Sequence, residues 1–120
     1  MTNLEQKKCV PCEEGAAALG MDAIIKLTRE LDTSWKVTEG GEGEKKLLRE
    51  FTFPDFATGL SFVNSVGAIA DGEGHHPNIM LSWGKVTVEL WTHAIGGLSE
   101  NDFIMAKKIE SAYTTYQWKK

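Results

Sequence analysis

Two alternating segments on either side of a glycine turn constrain this chain more than any other feature of its sequence. Residues 79–83 and 86–93 place an apolar side chain at every second position along most of their length, as strands with one buried face do. The Gly84-Lys85 pair between them has the Gly-X form of a type II′ hairpin turn. The pattern predicts an antiparallel hairpin in which Trp83 faces Val86.

The first half of the chain predicts a second hairpin and the whole chain predicts three helices. Residues 35–38 and 47–53 alternate in the same manner around a glycine-rich turn at 39–43. Helical spacing of apolar residues predicts helices over 20–31, from 54 to about 70, and from 99 onwards. The predicted fold is α+β in the order α-β-β-α-β-β-α, a four-stranded antiparallel sheet with three helices packed on one face.

Residue types at the predicted helix ends indicate where the second and third helices begin. Pro54 suits the first helical position, and Asp55 suits the positive end of the helix dipole. The second helix should stop in the glycine-rich residues 71–74, where Asp71 has no necessary role beyond the loop. The segment Ser99–Asp102 is typical of a capping box that opens the third helix.

The third helix carries more apolar residues than one buried face requires. Its predicted buried stripe consists of Met105, Ile109, Ala112, Tyr113 and Tyr116, and the apolar residues outside that stripe are Ile104, Ala106 and Trp118. The third and fourth strands also offer an edge that a small domain has to protect. These features predict a homo-oligomer, either a homodimer or a homotetramer.

Size and composition exclude several classes of protein. The 120 residues predict an N-terminal arm over 1–18 and one domain over 19–120. The net charge is −4, from 17 acidic and 13 basic residues, which argues against binding nucleic acid through its phosphates. No apolar run approaches the roughly 20 residues of a membrane helix, and the polar N-terminus does not resemble a secretory signal. We therefore expect a cytoplasmic protein without membrane contact.

The two cysteines, Cys9 and Cys12, form a single C-x-x-C motif in the predicted arm. A zinc ribbon needs a second such pair, which the chain does not have. A thioredoxin-like redox site needs the motif to open a helix after a strand, and Pro11 does not favour that arrangement. Structural or incidental thiols are the favoured interpretation.

The three histidines are the candidate chemical groups of this chain. His75 and His76 precede the third strand and His93 ends the fourth, so the predicted register brings His76 beside His93. Histidine both takes and gives a proton near neutral pH, which favours general acid–base catalysis over an unrelated polar surface. Zinc is the rival, but adjacent His75 and His76 would point in different directions from an extended segment, so no metal is predicted.

The acidic and aromatic residues near these histidines can be assigned purely structural roles as well as functional ones. Asp102 could serve only the capping box. Trp35 and Trp91 are typical core aromatics, although either could offer a flat face to a planar ligand.

At these residues the chain resembles the pterin-4a-carbinolamine dehydratase family. The motif of an acid, His-His-Pro, an aromatic, a further His and an Asp is carried by Asp71, His75-His76-Pro77, Trp83, His93 and Asp102. The resemblance covers nearly the whole chain and includes the segment 51–56. Many relatives have Glu where this chain has Asp71. The mammalian relatives lack the N-terminal arm, so their tetramer and their role in transcription are not carried over.

The resemblance implies that the chain removes water from a 4a-hydroxytetrahydropterin without a cofactor. It implies that His75 and His93 transfer protons, that His76 positions the pterin, and that Asp71 and Asp102 orient imidazoles or ring nitrogens. The remaining substrate contacts that it implies are Pro77, Trp91, Thr92 and a pocket wall at Trp35. The alternatives are a dimeric module that binds a pterin or a protein without turnover, and a zinc hydrolase.

Overall fold

The computed structural model describes residues 4–6 and 18–115, and their element order confirms the predicted α+β fold. Two 3-10 turns, Leu4–Gln6 and His93–Ile95, accompany the regular elements. The helices are α1 (Met21–Thr28), α2 (Phe56–Glu73) and α3 (Glu100–Thr115), and the strands are β1 (Lys36–Glu39), β2 (Lys45–Thr52), β3 (Asn78–Ser82) and β4 (Lys85–Leu90). None of the described helices is both long and apolar enough to cross a membrane.

The four strands form one antiparallel sheet in the order β1-β2-β4-β3, so the edges are β1 and β3 and not β4. Alternate residues of the central strands are buried beneath the helices because successive side chains of a strand point to opposite faces. Phe51 of β2 packs on Phe62 of α2 with ring centroids 4.8 Å apart and on Tyr113 of α3 at 4.9 Å. This aromatic core fixes both helices against the sheet.

The β3–β4 hairpin forms as predicted but in a different register. Ile79 pairs with Val88 and Ser82 with Lys85, so the loop residues are Trp83 and Gly84. The positive φ of 75° falls on Gly84, the second loop residue, where a type II turn and not a type II′ turn requires glycine. The predicted turn at Gly84-Lys85 and the pairing of Trp83 with Val86 are therefore wrong, and Trp83 is 72% exposed.

Helix α2 begins two residues later and ends three residues later than predicted. Asp55 is its N-cap, since the carboxylate accepts a hydrogen bond from the Thr58 N–H at 2.8 Å, and Pro54 lies outside the helix. At the other end Gly74 adopts φ 66°, which a glycine tolerates without steric cost. Asp71 therefore lies in the last turn of α2 and not in a loop, and the chain leaves the helix directly into His75.

Helix α3 is buried on more of its surface than the single apolar stripe predicted from the sequence. Ile104 and Ala106, which we expected to be spare apolar surface, are 1% and 0% exposed. The 3-10 turn Leu4–Gln6 packs against α3, and Leu4 is 2% exposed. Ile104 and Ala106 therefore no longer support the prediction of an oligomer. Four other residues named in the sequence predictions lie outside the described residues: Tyr116, Trp118, Cys9 and Cys12.

Candidate active site

His75 is held at the point where α2 ends and the chain turns towards β3. Its backbone N–H donates to the carbonyl of Ala70 at 3.2 Å, beside the Gly74 N–H that binds the same oxygen. The side chain is 14% exposed, and its Nε2 atom lies 2.6 Å from Oδ1 of Asp102. A histidine fixed by its backbone and by its ring presents one remaining nitrogen in a defined direction.

Asp102 is the fully buried partner of His75, in the first turn of α3. Its second oxygen, Oδ2, accepts from the Ser99 N–H at 2.9 Å and from the Thr92 hydroxyl at 2.8 Å. The first of these bonds is the returning half of the predicted capping box, with Asp in the place of the usual Glu. One carboxylate thus caps α3 and contacts the imidazole of His75.

The Asp102 carboxylate determines which nitrogen of His75 carries the proton when the ring is neutral. An ionised carboxylate only accepts hydrogen bonds, so the nitrogen that faces it must be the donor. We therefore assign the proton to Nε2, which leaves Nδ1 as the acceptor on the other side of the ring.

His76 follows His75 in sequence, but it binds a carboxylate of α2, whereas His75 binds a carboxylate of α3. Its Nε2 atom is 3.0 Å from Oδ1 of Asp71, at the end of α2. Both side chains are exposed, His76 at 63% and Asp71 at 83%. The two neighbouring imidazoles thus pair with different helices, which supports separate roles for them.

His93 reaches this end of the sheet by a route that the sequence did not predict. Strand β4 stops at Leu90, and His93 begins the 3-10 turn that follows, so no described strand pair places His76 beside His93. The ring of His93 is exposed and lies against Trp91, with centroids 4.2 Å apart at 44°. On the same indole the Lys46 ammonium sits 3.9 Å from the ring centroid.

The Thr92 backbone connects the His93 turn to the buried carboxylate. The Thr92 N–H donates to the Gly97 carbonyl at 2.8 Å, and this isolated bridge closes the loop that carries His93. Because the hydroxyl of Thr92 binds Asp102, the residue before His93 and the ring of His75 share one carboxylate.

The remaining predicted contacts differ in exposure. Pro77 is half-buried in the approach to β3, next to the two histidines in sequence. Trp35 is 3% exposed and packs edge-on against Phe51, with centroids 6.0 Å apart, which is the position of a core aromatic. The covered indole of Trp35 offers little surface to a planar ligand in this chain.

The described part of the chain contains no cluster of three or more His, Cys, Asp or Glu side chains suited to a metal ion. Sequence reasoning missed Ser99 and Lys46 as neighbours of the site. The capping-box motif was a signal for Ser99, because it placed that residue next to Asp102. No local signal pointed to Lys46, which lies 45 positions before Trp91.

Comparisons with known proteins agree on one family. Residues 17–112 match the family described as pterin 4 alpha carbinolamine dehydratase. A Rickettsia canadensis protein, provisionally named a pterin-4-alpha-carbinolamine dehydratase, is 50% identical over 92% of this chain and 98% of its own length. A Chlorobium limicola protein with the same provisional name is 51% identical over 90% of this chain and 94% of its own.

One solved structure has a similar fold and related sequence. It is described as a transcriptional coactivator/pterin dehydratase from Brucella melitensis, and it is 29% identical to this chain with a TM-score of 0.71. The similarity covers 80% of this chain and 98% of that one.

Proposed function

The chain belongs to the pterin 4 alpha carbinolamine dehydratase family, and from that premise we propose that it removes water from a 4a-hydroxytetrahydropterin to give the quinonoid dihydropterin. The step consumes the 4a-hydroxytetrahydropterin that aromatic amino acid hydroxylases release, and its quinonoid product needs a separate reduction to become the tetrahydropterin cofactor again. The observation that carries the proposal is the contact between His75 and the buried Asp102, which leaves one imidazole nitrogen available for proton transfer.

The reaction needs two proton transfers and no change of oxidation state. The bond between C4a and the hydroxyl oxygen breaks, the oxygen takes a proton and leaves as water, and loss of the N5 proton allows the C4a–N5 double bond to form. An imidazolium can supply the first proton and a neutral imidazole can accept the second, each contributing about 10²–10⁴-fold. Neither a redox cofactor nor a metal is required by these steps.

We assign the two transfers to His75 and His93. Nδ1 of His75 is the nitrogen that Asp102 leaves uncommitted, and His93 is exposed on the neighbouring turn. Trp91 contacts the ring of His93 and restricts its orientations. Which histidine acts as acid and which as base follows from the pose of the pterin, and the two roles exchange if the pterin is turned over.

His76 and Asp71 suit a binding role. Their side chains contact each other at the surface, where hydrogen-bonding groups of both kinds can meet the polar edge of a pterin. Asp71 has one methylene fewer than the Glu of many relatives, but its place in the last turn of α2 lets it reach His76. Pro77 stiffens the chain that follows these contacts.

The experiment that tests this function compares purified variants in a dehydration assay. A hydroxylase generates the 4a-hydroxytetrahydropterin in situ, and the absorbance of the quinonoid product gives the rate above the spontaneous reaction. Replacing both His75 and His93 with Ala should reduce the rate to near the spontaneous one. The matched control is Lys85→Ala, an exposed position at the opposite end of β4; a double variant that keeps most of its activity contradicts the assignment.

The second candidate is a module that binds a pterin or a protein without turnover. The specific observation in its favour is the large apolar exposure at the β3 hairpin, where Met80 is 67% and Trp83 72% exposed. The related Brucella melitensis chain is described as both coactivator and pterin dehydratase. Tight binding of a dihydropterin together with a rate equal to the spontaneous one would favour this candidate.

A further inference from the structure

The Thr92 hydroxyl lies inside the molecule, between two other polar groups. Thr92 is 5% exposed, and its hydroxyl donates to Oδ2 of Asp102 at 2.8 Å. The Ser99 hydroxyl lies 2.8 Å from the same Thr92 oxygen. Since Thr92 has one hydroxyl proton and gives it to Asp102, Ser99 must be the donor in that second bond. The three groups form a directed chain from Ser99 through Thr92 to Asp102.

We propose that Thr92 is a positioning residue: its hydroxyl, oriented by Ser99, fixes the Asp102 carboxylate and through it the ring and tautomer of His75. This inference rests on the proposed dehydration for its kinetic consequence, but its geometric part does not. It also changes the expected role of Thr92 from a substrate contact to a partner of the carboxylate, since its hydroxyl donates to Oδ2 of Asp102.

The two oxygens of Asp102 have different roles: Oδ2 anchors the carboxylate and Oδ1 contacts the imidazole. Oδ2 takes both fixed donors, the Ser99 N–H and the Thr92 hydroxyl, while Oδ1 takes only the Nε2 atom of His75 among the contacts described. A carboxylate held by one donor alone can rotate about its terminal bond, whose preference is broad. The second donor therefore keeps Oδ1 aimed at the imidazole.

The side chain of Thr92 can be tested apart from its backbone. The pairing of the Thr92 backbone with Gly97 closes the loop whatever side chain stands there. Val has the shape of Thr without the hydroxyl, so Thr92→Val removes the donor and places a methyl group against a buried carboxylate. Thr92→Ser keeps the hydroxyl and removes the methyl group.

The kinetic experiment measures kcat and KM for these two variants in the dehydration assay. Thr92→Val should lower kcat by about 10- to 100-fold, the loss expected for a hydrogen bond to a charged group. Its KM should change by less than about twofold, because no contact with bound substrate is lost. Thr92→Ser should recover most of the activity. An unchanged kcat, a raised KM at unchanged kcat, or an equal loss in both variants would overturn the proposal.

The spectroscopic experiment follows the ¹⁵N signals of the His75 imidazole at a pH where the ring is neutral. Wild type and Thr92→Ser should show the proton on Nε2, whereas Thr92→Val should show a mixture of the two tautomers. This readout does not depend on turnover. If the wild type proves inactive, the proposed function fails and the tautomer decides alone: a mixture in Thr92→Val sustains the positioning role, and a single Nε2 tautomer in that variant overturns it.

Discussion

The Nε2 atom of His75 lies 2.6 Å from Oδ1 of Asp102, and this contact joins the end of α2 to the first turn of α3 across 27 positions of sequence. The carboxylate is completely buried and the imidazole almost so. The pair thus combines a structural function, the cap of α3, with a contact that orients the His75 ring. Removal of the Asp102 side chain should therefore affect both functions.

We expect Asp102→Asn to separate these two functions. The amide keeps the size of the side chain and one acceptor for the Ser99 N–H and Thr92 hydroxyl, but its NH₂ group cannot accept a hydrogen bond from Nε2 of His75. The His75 ring should then turn or take the other tautomer, and kcat should fall by about 10²-fold or more, as in other His–Asp pairs. Dehydration kinetics and circular dichroism check this; an active, folded Asp102→Asn would refute the orienting role.

Replacing the exposed partner pair should change binding more than turnover. His76→Ala removes a side chain that is 63% exposed and bound only to the more exposed Asp71 among its described contacts. We expect KM to rise about tenfold while kcat changes little. The variant loses a contact that binds substrate and transition state equally, but it keeps both groups that transfer protons. Asp71→Asn should show the same trend more weakly. A collapse of kcat in His76→Ala would mean that His76 takes part in the proton transfers.

Much of the fold could be predicted from local pattern, and the failure at the β3–β4 hairpin has a physical reason. A slip of one residue moves every side chain to the other face of a sheet, but a slip of two keeps every side chain on its face. The observed pairing of Ile79 with Val88, where Leu90 was expected, is a slip of two. Alternation of apolar residues therefore could not detect the error, and the glycine at the second loop position decided the turn.

The site could be predicted only in part because its contacts join distant segments. Residue types and spacing predicted the histidine cluster, and the resemblance to a family implied the pairing of His75 with His93 in proton transfer. The resemblance also implied a role for Asp102, which spacing alone left as a cap. The alternation of residues 86–93 extended β4 too far, since Thr92 turns to pair with Gly97 and not with a neighbouring strand. The cation over Trp91 depends on the sheet pairing that brings β2 next to β4, which no local pattern contains.

The indole of Trp91 should matter for the activity through His93. The two rings lie 4.2 Å apart, and such a contact contributes about 0.5–1.5 kcal/mol to the favoured orientation. Trp91→Leu should therefore lower kcat about 2- to 10-fold and leave the fold intact, because Trp91 is only half-buried. Lys46→Met is the companion variant, since it removes the charge over the indole and keeps Trp91. Kinetics of both variants decide whether the ring or the charge acts, and two unchanged rates would show that neither does.

The N-cap of α2 should make stability depend on pH in acid. Hydrogen bonds from the side chain and backbone of Thr58 hold the pKa of Asp55 below its ordinary value of 3.8. A carboxyl whose pKa is lower in the folded state stabilises it above the unfolded value, and that contribution is lost as the pH falls through the folded pKa. Asp55→Asn should keep the cap and remove this part of the pH dependence, whereas Asp55→Ala should lower the melting temperature at neutral pH. Thermal melts from pH 7 to 2 measure both effects.

The exposed edge strand β3 gives the assembly prediction its remaining support. Its five residues, Asn78–Ser82, carry no charge and no proline, the devices by which edge strands usually avoid pairing. Met80 at its centre is 67% exposed and the adjoining Trp83 72%. We expect a homodimer at least, with about twice the 13.3 kDa of one chain by light scattering at micromolar concentration.

A charge on this edge should weaken that dimer. Met80→Lys places an ammonium at the centre of the strand, so that pairing two copies would bring like charges together. The variant should sediment as a monomer with an unchanged circular dichroism spectrum. Thr38→Lys, on the opposite edge strand β1, is the matched control and should remain a dimer. A measured mass of 13.3 kDa for the wild type would refute the prediction of an oligomer. A dimeric Met80→Lys variant would show that the interface does not lie on β3.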